Sequence, residues 1–203
     1  FFGSRPFSRA NELLTRQGAA LPSFTQALID KRTPSQGEAL EVLMQAILQL
    51  PAYLDTVHAL YTKVLTLPVH TVAAINGHAF GAGAMLALCA DYSVMRDDRG
   101  FWSLPEAALS MPFTRGMAAL VRTRLSDAAA TEAMLTSRRY GAHDAAAAGI
   151  VGEAVPVDQL LERARAVAAE RQHIAGPNIG VIKKGLRAPL LADLAVVTPA
   201  TVL

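Results

Sequence analysis

The chain of 203 residues has few of the features that mark a disulfide scaffold, a membrane protein or a nucleic-acid-binding protein. Its one cysteine, Cys89, excludes an internal disulfide and suits a reducing compartment. We expect a location in the cytoplasm, with a peroxisome or mitochondrion as alternatives. The net charge is only +2 and no dense lysine or arginine run occurs, which disfavours nucleic-acid binding. No apolar run reaches the roughly 18 residues of a spanning helix without a charge, proline or glycine, which disfavours membrane insertion.

The chain does contain enough apolar sequence for one domain with a substantial core. Apolar residues make up 52% of the chain and charged residues 18%, which predicts a folded protein. Because the first residue is Phe1 rather than Met, we expect further residues to precede it.

Hydrophobic periodicity predicts strands that alternate with helices, which is typical of an α/β sheet with helices packed outside it. One helix is predicted to end at Pro51, and a second to begin shortly after it and end at Pro68. The predicted strands are residues 69–75, 92–96, 101–103 and 150–155. The predicted helices are residues 36–50, 53–67, 82–90, 114–125, 127–137, 143–148, 157–172, 178–187 and 190–196.

A glycine-rich turn, Gly77-His-Ala-Phe-Gly81-Ala-Gly83, lies between a strand-like run and a small-residue helix. It has three interpretations. A dinucleotide pyrophosphate site is disfavoured, because Leu86 occupies the last position of a Gly-x-Gly-x-x-Gly pattern that begins at Gly81. A backbone N–H near Ala82 could bind an oxyanion, helped by the helix dipole. Alternatively, the glycines only permit a tight turn and close helix packing.

One carboxylate, Glu106, follows the turn in an apolar stretch. A carboxylate in such surroundings is a base of raised pKa, whereas the simpler interpretation is an acidic residue stabilised by a helix dipole. A base beside an oxyanion-binding turn indicates proton chemistry next to a carbonyl. No spacing of histidine, cysteine and acidic residues indicates a metal site, and no Gly-x-Ser-x-Gly elbow indicates a hydrolase.

The turn and Glu106 belong to a longer series of spaced motifs. The series comprises Leu67-Pro68, residues 74–83, Cys89-Ala90-Asp91-Tyr92, Leu104-Pro105-Glu106, Pro112-Phe113, Gly116, Leu135-Thr136, Arg139-Tyr140 and residues 148–151. It resembles the enoyl-CoA hydratase/isomerase family, the crotonase superfamily, most strongly over residues 67–155. The resemblance implies a crotonase-like α/β spiral of ββα units. Residues 1–155 would form the core, with its N-terminal strands missing, and residues 156–203 a helical region for assembly into trimers or hexamers.

The resemblance also implies an oxyanion hole made of two backbone N–H groups around a thioester carbonyl. One of them falls on Ala82. The other falls on Arg9, in a segment where Ala10 replaces the usual glycine and Arg9 is larger than the usual residue. Since any residue except proline keeps its N–H, the hole can persist.

The number of acidic residues distinguishes between members of the family. Resemblance to the hydratases implies two glutamates that position and activate a water molecule. In this chain Met85 stands in place of the first glutamate, and Glu106 stands in place of the second. One carboxylate suffices for a 1,3-proton shift, and the pattern resembles the Δ3,Δ2-enoyl-CoA isomerases of the peroxisomal and bacterial type. We therefore predict isomerisation of 3-enoyl-CoA to 2-enoyl-CoA in fatty-acid β-oxidation, with Glu106 as the catalytic residue.

The predicted partner is an acyl-CoA, with CoA carried by the substrate and no separate cofactor. The residues predicted to bind it are Phe80, Gly81, Met85, Trp102, Leu104, Phe113, Lys183 and Lys184. The alternative for Trp102 is packing in the core. The two lysines are predicted to contact a CoA phosphate, and the alternative for them is a position on a solvated helix face. Two other functions stay open: another acyl-CoA reaction, namely thioester hydrolysis or decarboxylation, and an inactive scaffold of the same fold.

Overall fold

A computed structural model of the chain describes residues 36–199, with side chains from residue 49 onward. The chain divides into two compact units, Phe1–Leu50 and Pro51–Leu203. In the first unit, only the helical residues 36–50 are described. The second contains the glycine-rich turn, Glu106 and all the strands of the described part.

The first helix, α1 (Gln36–Leu65), corrects the prediction of two helices separated at Pro51. A proline inside a helix removes one backbone hydrogen bond and crowds the carbonyl of the preceding turn. The helix nevertheless continues through Pro51, and the residues after it bury Val57, Tyr61 and Leu65 in the core. Burial of one face is the main source of helix stability in proteins.

The strands form two small parallel sheets. They are β1 (Val72–Ile75), β2 (Ala79–Phe80), β3 (Tyr92–Arg96), β4 (Trp102–Ser103) and β5 (Glu153–Val155). The first sheet has three strands in the order β1-β3-β5, and the second pairs β2 with β4. Neighbours in both sheets are separated by a crossover in sequence, as parallel pairing requires.

Helices fill the crossovers and the C-terminal region. They are α2 (Ala82–Cys89), α3 (Arg115–Arg124), α4 (Asp127–Thr136), α5 (Ala142–Ala147), α6 (Leu160–Glu170), α7 (Pro177–Leu186) and α8 (Ala188–Leu194), with a short 3₁₀ turn at Gln172–Ile174. Thr114 and Ser126 cap α3 and α4 with their side chains. The α/β architecture with a helical C-terminal region is therefore confirmed.

The core lies where α1, α2, α3 and the second sheet meet. Trp102, Tyr61, Met85 and Leu104 are among its largest fully buried side chains. Along the part of the chain that the structure describes, no helix is long and apolar enough to cross a membrane.

Candidate active site

The glycine-rich turn places a helix N-terminus beside the edge of the second sheet. Gly81 precedes α2 with φ of 51° and ψ of −120°, a conformation that residues other than glycine rarely adopt. Its N–H donates to the carbonyl of Ser103 at 3.1 Å, which joins the turn to β4. Ala82 is the first residue of α2, so its N–H has no carbonyl of a preceding helical turn to bind. This N–H suits an oxyanion.

Tyr61 holds the start of α2 from the side of α1. Its buried hydroxyl donates to the carbonyl of Ala82 at 2.8 Å. Burial raises the pKa of the Tyr61 hydroxyl above its ordinary value, so the group stays protonated and remains a donor. The sequence did not predict this bond, because the pattern of a helix does not show which distant group a tyrosine hydroxyl will meet.

Glu106 lies on a compact turn after β4. The turn is closed by its own backbone: Met111 N–H donates to the Glu106 carbonyl at 2.9 Å and Leu109 N–H to the Pro105 carbonyl at 3.0 Å. The Glu106 side chain is half-buried and reaches the glycine-rich turn. A Cβ built on Gly81 would lie 3.2 Å from Oε1 of Glu106. The structure thus places the Glu106 carboxylate beside the glycine-rich turn.

The surroundings of Glu106 favour its protonated form. Burial raises the pKa of its carboxyl above the ordinary value, and a backbone hydrogen bond of the residue itself offsets this in part. Oε2 is buried and has no hydrogen-bond partner among the described residues. A carboxylate with an unengaged oxygen and a raised pKa is suited to exchange a proton with a substrate.

The predicted substrate-binding residues near this turn differ in accessibility. Phe80 is 37% exposed, with its ring next to His78 and, at 5.8 Å, the Arg139 guanidinium. Phe113 is partly buried against the core, and Met85 and Leu104 lie within it. Contact of these residues with a substrate stays a prediction.

Trp102 lies in the core, as Met85 and Leu104 do, and its contact with a substrate also stays a prediction. Its side chain is 0% exposed. The indole Nε1–H donates to the Ala84 carbonyl at 3.1 Å, and the ring packs edge-on against Tyr140. The indole is therefore fully engaged inside the protein, in line with the alternative that the sequence left open.

Lys183, predicted to contact a CoA phosphate, lies in a buried ion pair. Its side chain is only 4% exposed, and Nζ lies 2.5 Å from Asp91 Oδ2 and 2.6 Å from the Val69 carbonyl. Arg187 binds the other oxygen of Asp91 at 2.6 Å. These bonds favour a structural role for Lys183, and its contact with a phosphate stays a prediction. Lys184, the next residue, is exposed and stays a candidate.

Asp91 is the centre of that cluster and anchors α7 to the sheet. Burial alone would raise its pKa, but hydrogen bonds from Lys183, Thr71 and Arg187 outweigh this effect and lower the pKa to about 2. Asp91 is therefore a permanent anion that its two cations neutralise, and it serves structure rather than proton transfer.

Two further points concern Arg9 and metal binding. Arg9, predicted to supply the other N–H of the oxyanion hole, lies outside the described residues. Between residues 36 and 199, no group of three or more histidine, cysteine or acidic side chains could hold a metal ion.

The chain was compared with known proteins at the level of families, sequences and structures. A family model described as enoyl-CoA hydratase/isomerase matches residues 32–197. Carnitinyl-CoA dehydratase of Escherichia coli K12 is 37% identical over 124 residues, which cover 61% of this chain and 47% of that protein. The chain thus spans about half the length of the curated relatives it matches.

Solved structures share the fold at lower identity. A probable enoyl-CoA hydratase from Mycobacterium tuberculosis H37Rv has a TM-score of 0.69 at 24% identity, covering 76% of this chain and 66% of that chain. The human mitochondrial Δ3-Δ2-enoyl-CoA isomerase has a TM-score of 0.64 at 24% identity, covering 71% and 58%. With the family match over most of its length, the chain belongs to the enoyl-CoA hydratase/isomerase family.

Proposed function

We propose that the protein binds an acyl-CoA and moves a carbon–carbon double bond from the 3- to the 2-position. The observation that carries this proposal is the Glu106 carboxylate, half-buried against Gly81 with one oxygen unengaged. It is a base beside a helix N-terminus, and among the described residues no neighbouring charge contributes to the shift of its pKa.

The reaction needs one proton carrier and one site for negative charge. The Glu106 carboxylate removes a proton from C2 of the 3-enoyl thioester, and the electron pair moves into a dienolate whose charge lies on the thioester oxygen. The Ala82 N–H and, as predicted, the Arg9 N–H donate to that oxygen. Glu106 then returns its proton to C4, which leaves the double bond between C2 and C3. No atom is gained or lost.

Dehydration of a 3-hydroxyacyl-CoA is the second candidate, because the chain is 37% identical to a carnitinyl-CoA dehydratase over their matched region. That reaction also starts at C2, but the departing hydroxyl group must be protonated to leave as water. Met85, where the resemblance implies the first glutamate of the hydratases, has no ionisable group and is buried. This favours isomerisation over reactions that add or remove water.

The other properties that we propose follow from the family. CoA is part of the substrate rather than a separate cofactor, the chain assembles into homotrimers or hexamers, and Lys184 contacts a CoA phosphate. The protein acts in the bacterial cytoplasm.

The test follows 3-hexenoyl-CoA in D₂O by NMR, recording deuterium at C2 and C4 and double-bond migration. Glu106→Gln should lower both exchange and migration by about 10³-fold, as expected for loss of a general base. Glu162→Gln, the same change on the exposed first turn of α6, is the matched control and should keep the wild-type rate. Wild-type rates in the Glu106 variant would show that another group is the base.

Parallel assays separate the rival functions. Faster turnover of a 3-hydroxyacyl-CoA than of the 3-enoyl thioester would favour dehydration. Release of free CoA would favour hydrolysis, and loss of CO₂ from a carboxylated acyl-CoA would favour decarboxylation. An assembled protein that binds no acyl-CoA in calorimetry would be a scaffold.

A further inference from the structure

Ser137 has a backbone conformation that is unfavourable for a serine. It ends α4 with φ of 54° and ψ of 26°, in the left-handed region. Helices commonly end with such a residue, which is usually glycine, since a Cβ makes this conformation less stable. A serine at this position therefore gives up some stability relative to glycine.

The serine is engaged through both its hydroxyl and its carbonyl. Ser137 Oγ accepts a hydrogen bond from the Ala108 N–H at 3.0 Å, and the Ser137 carbonyl accepts one from the Ser103 hydroxyl at 3.1 Å. Ser103 precedes Glu106 in the chain and Ala108 follows it. Ser137 therefore holds the segment that carries Glu106 on both sides.

Ser103 is also held by the Gly81 N–H, whereas the other backbone hydrogen bonds of residues 105–111 are internal. Those from Leu109, Ser110 and Met111 close the turn on itself, so they preserve its shape. They do not attach it to a neighbouring helix. Within the described part of the chain, the Ser137 hydroxyl is the side chain that links this turn to α4.

We propose that Ser137 is a positioning residue, whose hydroxyl holds the Glu106 turn so that the carboxylate stays against Gly81. This inference rests on the proposed function only in its kinetic part. A glycine at position 137 would be the better helix end but would lack the hydroxyl. Ser137→Gly should therefore raise the stability of the protein but loosen the position of the Glu106 turn.

Two variants separate the effects. Ser137→Gly removes the hydroxyl and relieves the backbone, whereas Ser137→Ala removes the hydroxyl and keeps the unfavourable conformation. Both should lower kcat for 3-hexenoyl-CoA by roughly tenfold with little change in KM, because a displaced base transfers protons slowly. In thermal unfolding, the alanine variant should melt lower than the glycine variant. Ser110→Gly relieves the same φ of 54°, and its thermal unfolding, without kinetics, shows the stability gain that glycine brings at this φ.

A second measurement does not depend on the reaction. The Glu106 carboxyl, assigned by ¹³C NMR against Glu106→Gln, is titrated in the wild type and in both Ser137 variants. Release of the turn should expose the carboxyl and move its pKa toward the ordinary value. An unchanged pKa, or an unchanged kcat in Ser137→Gly, would overturn the proposal. If the wild type lacks isomerase activity, the proposed function fails, while the titration still decides the role of Ser137.

Discussion

Gly81 lies directly against the carboxylate of Glu106, and the absence of a side chain at Gly81 is what allows the contact. A Cβ at position 81 would lie 3.2 Å from Oε1 of Glu106, closer than most such contacts in proteins. The same residue has φ of +51°, a value that other residues rarely adopt. Glycine therefore suits the backbone conformation that starts α2, and a side chain in its place would press on the Glu106 carboxylate.

Replacing Gly81 with alanine should damage both stability and activity. The backbone conformation should cost about 1–2 kcal/mol in the free energy of unfolding. The added methyl group should displace the Glu106 carboxylate and lower kcat up to about 10²-fold, since small displacements of a catalytic group have large effects. Urea unfolding and the 3-hexenoyl-CoA assay measure the two effects.

Gly83→Ala is the matched control for stability. Gly83 lies in α2, and a Cβ built there meets nothing within 4 Å. Alanine is the better helix former, so this variant should be more stable by about 0.5–1 kcal/mol. Equal stability losses in the two variants would contradict a specific role for the backbone of Gly81.

The raised pKa of Glu106 predicts opposite effects of pH on activity and stability. The carboxylate is the active form, so kcat/KM should fall about tenfold per pH unit below that raised pKa. A carboxyl whose pKa is higher folded than unfolded stabilises the protein below the unfolded pKa. That contribution is lost as pH rises through the folded pKa. At neutral pH, Glu106→Gln should therefore be at least as stable as the wild type.

Unfolding experiments across pH measure this difference directly. The stability of the wild type relative to Glu106→Gln should decrease between the ordinary and the raised pKa, and then stay constant. A wild type that is more stable than the variant at neutral pH would contradict the unengaged, buried state of the carboxylate.

The parts of the candidate site that depend on neighbouring residues in the chain could be predicted from the sequence. The glycines of residues 77–83 predict the turn between β2 and α2, and the periodicity of apolar residues predicts the α/β order. Residues 92–96 form the predicted strand without change of bounds. The sequence indicated a carboxylate, Glu106, acting beside the glycine-rich turn, and the structure places its Oε1 3.2 Å from where a Cβ of Gly81 would lie. The role of Glu106 as a base stays a prediction.

Other features depend on distant partners, which periodicity does not contain. Pro51 predicts a helix end, but α1 continues through it and buries Val57, Tyr61 and Leu65 against distant parts of the chain. Tyr61 and Ser137 each bind a backbone group far along the chain, at Ala82 and Ala108. Lys183 resembles a solvated lysine in sequence, and only the fold brings it to Asp91.

Lys183 and Lys184 are adjacent but should respond to mutation in different ways. Lys183→Met removes a buried partner of Asp91 and should lower the free energy of unfolding by about 3 kcal/mol. Lys184→Met changes an exposed side chain and should alter stability by less than about 0.5 kcal/mol. It should instead raise KM for acyl-CoA if Lys184 contacts the CoA phosphate. Urea unfolding and steady-state kinetics of both variants test this, and a Lys183 variant of normal stability with a raised KM would support its predicted role in CoA binding.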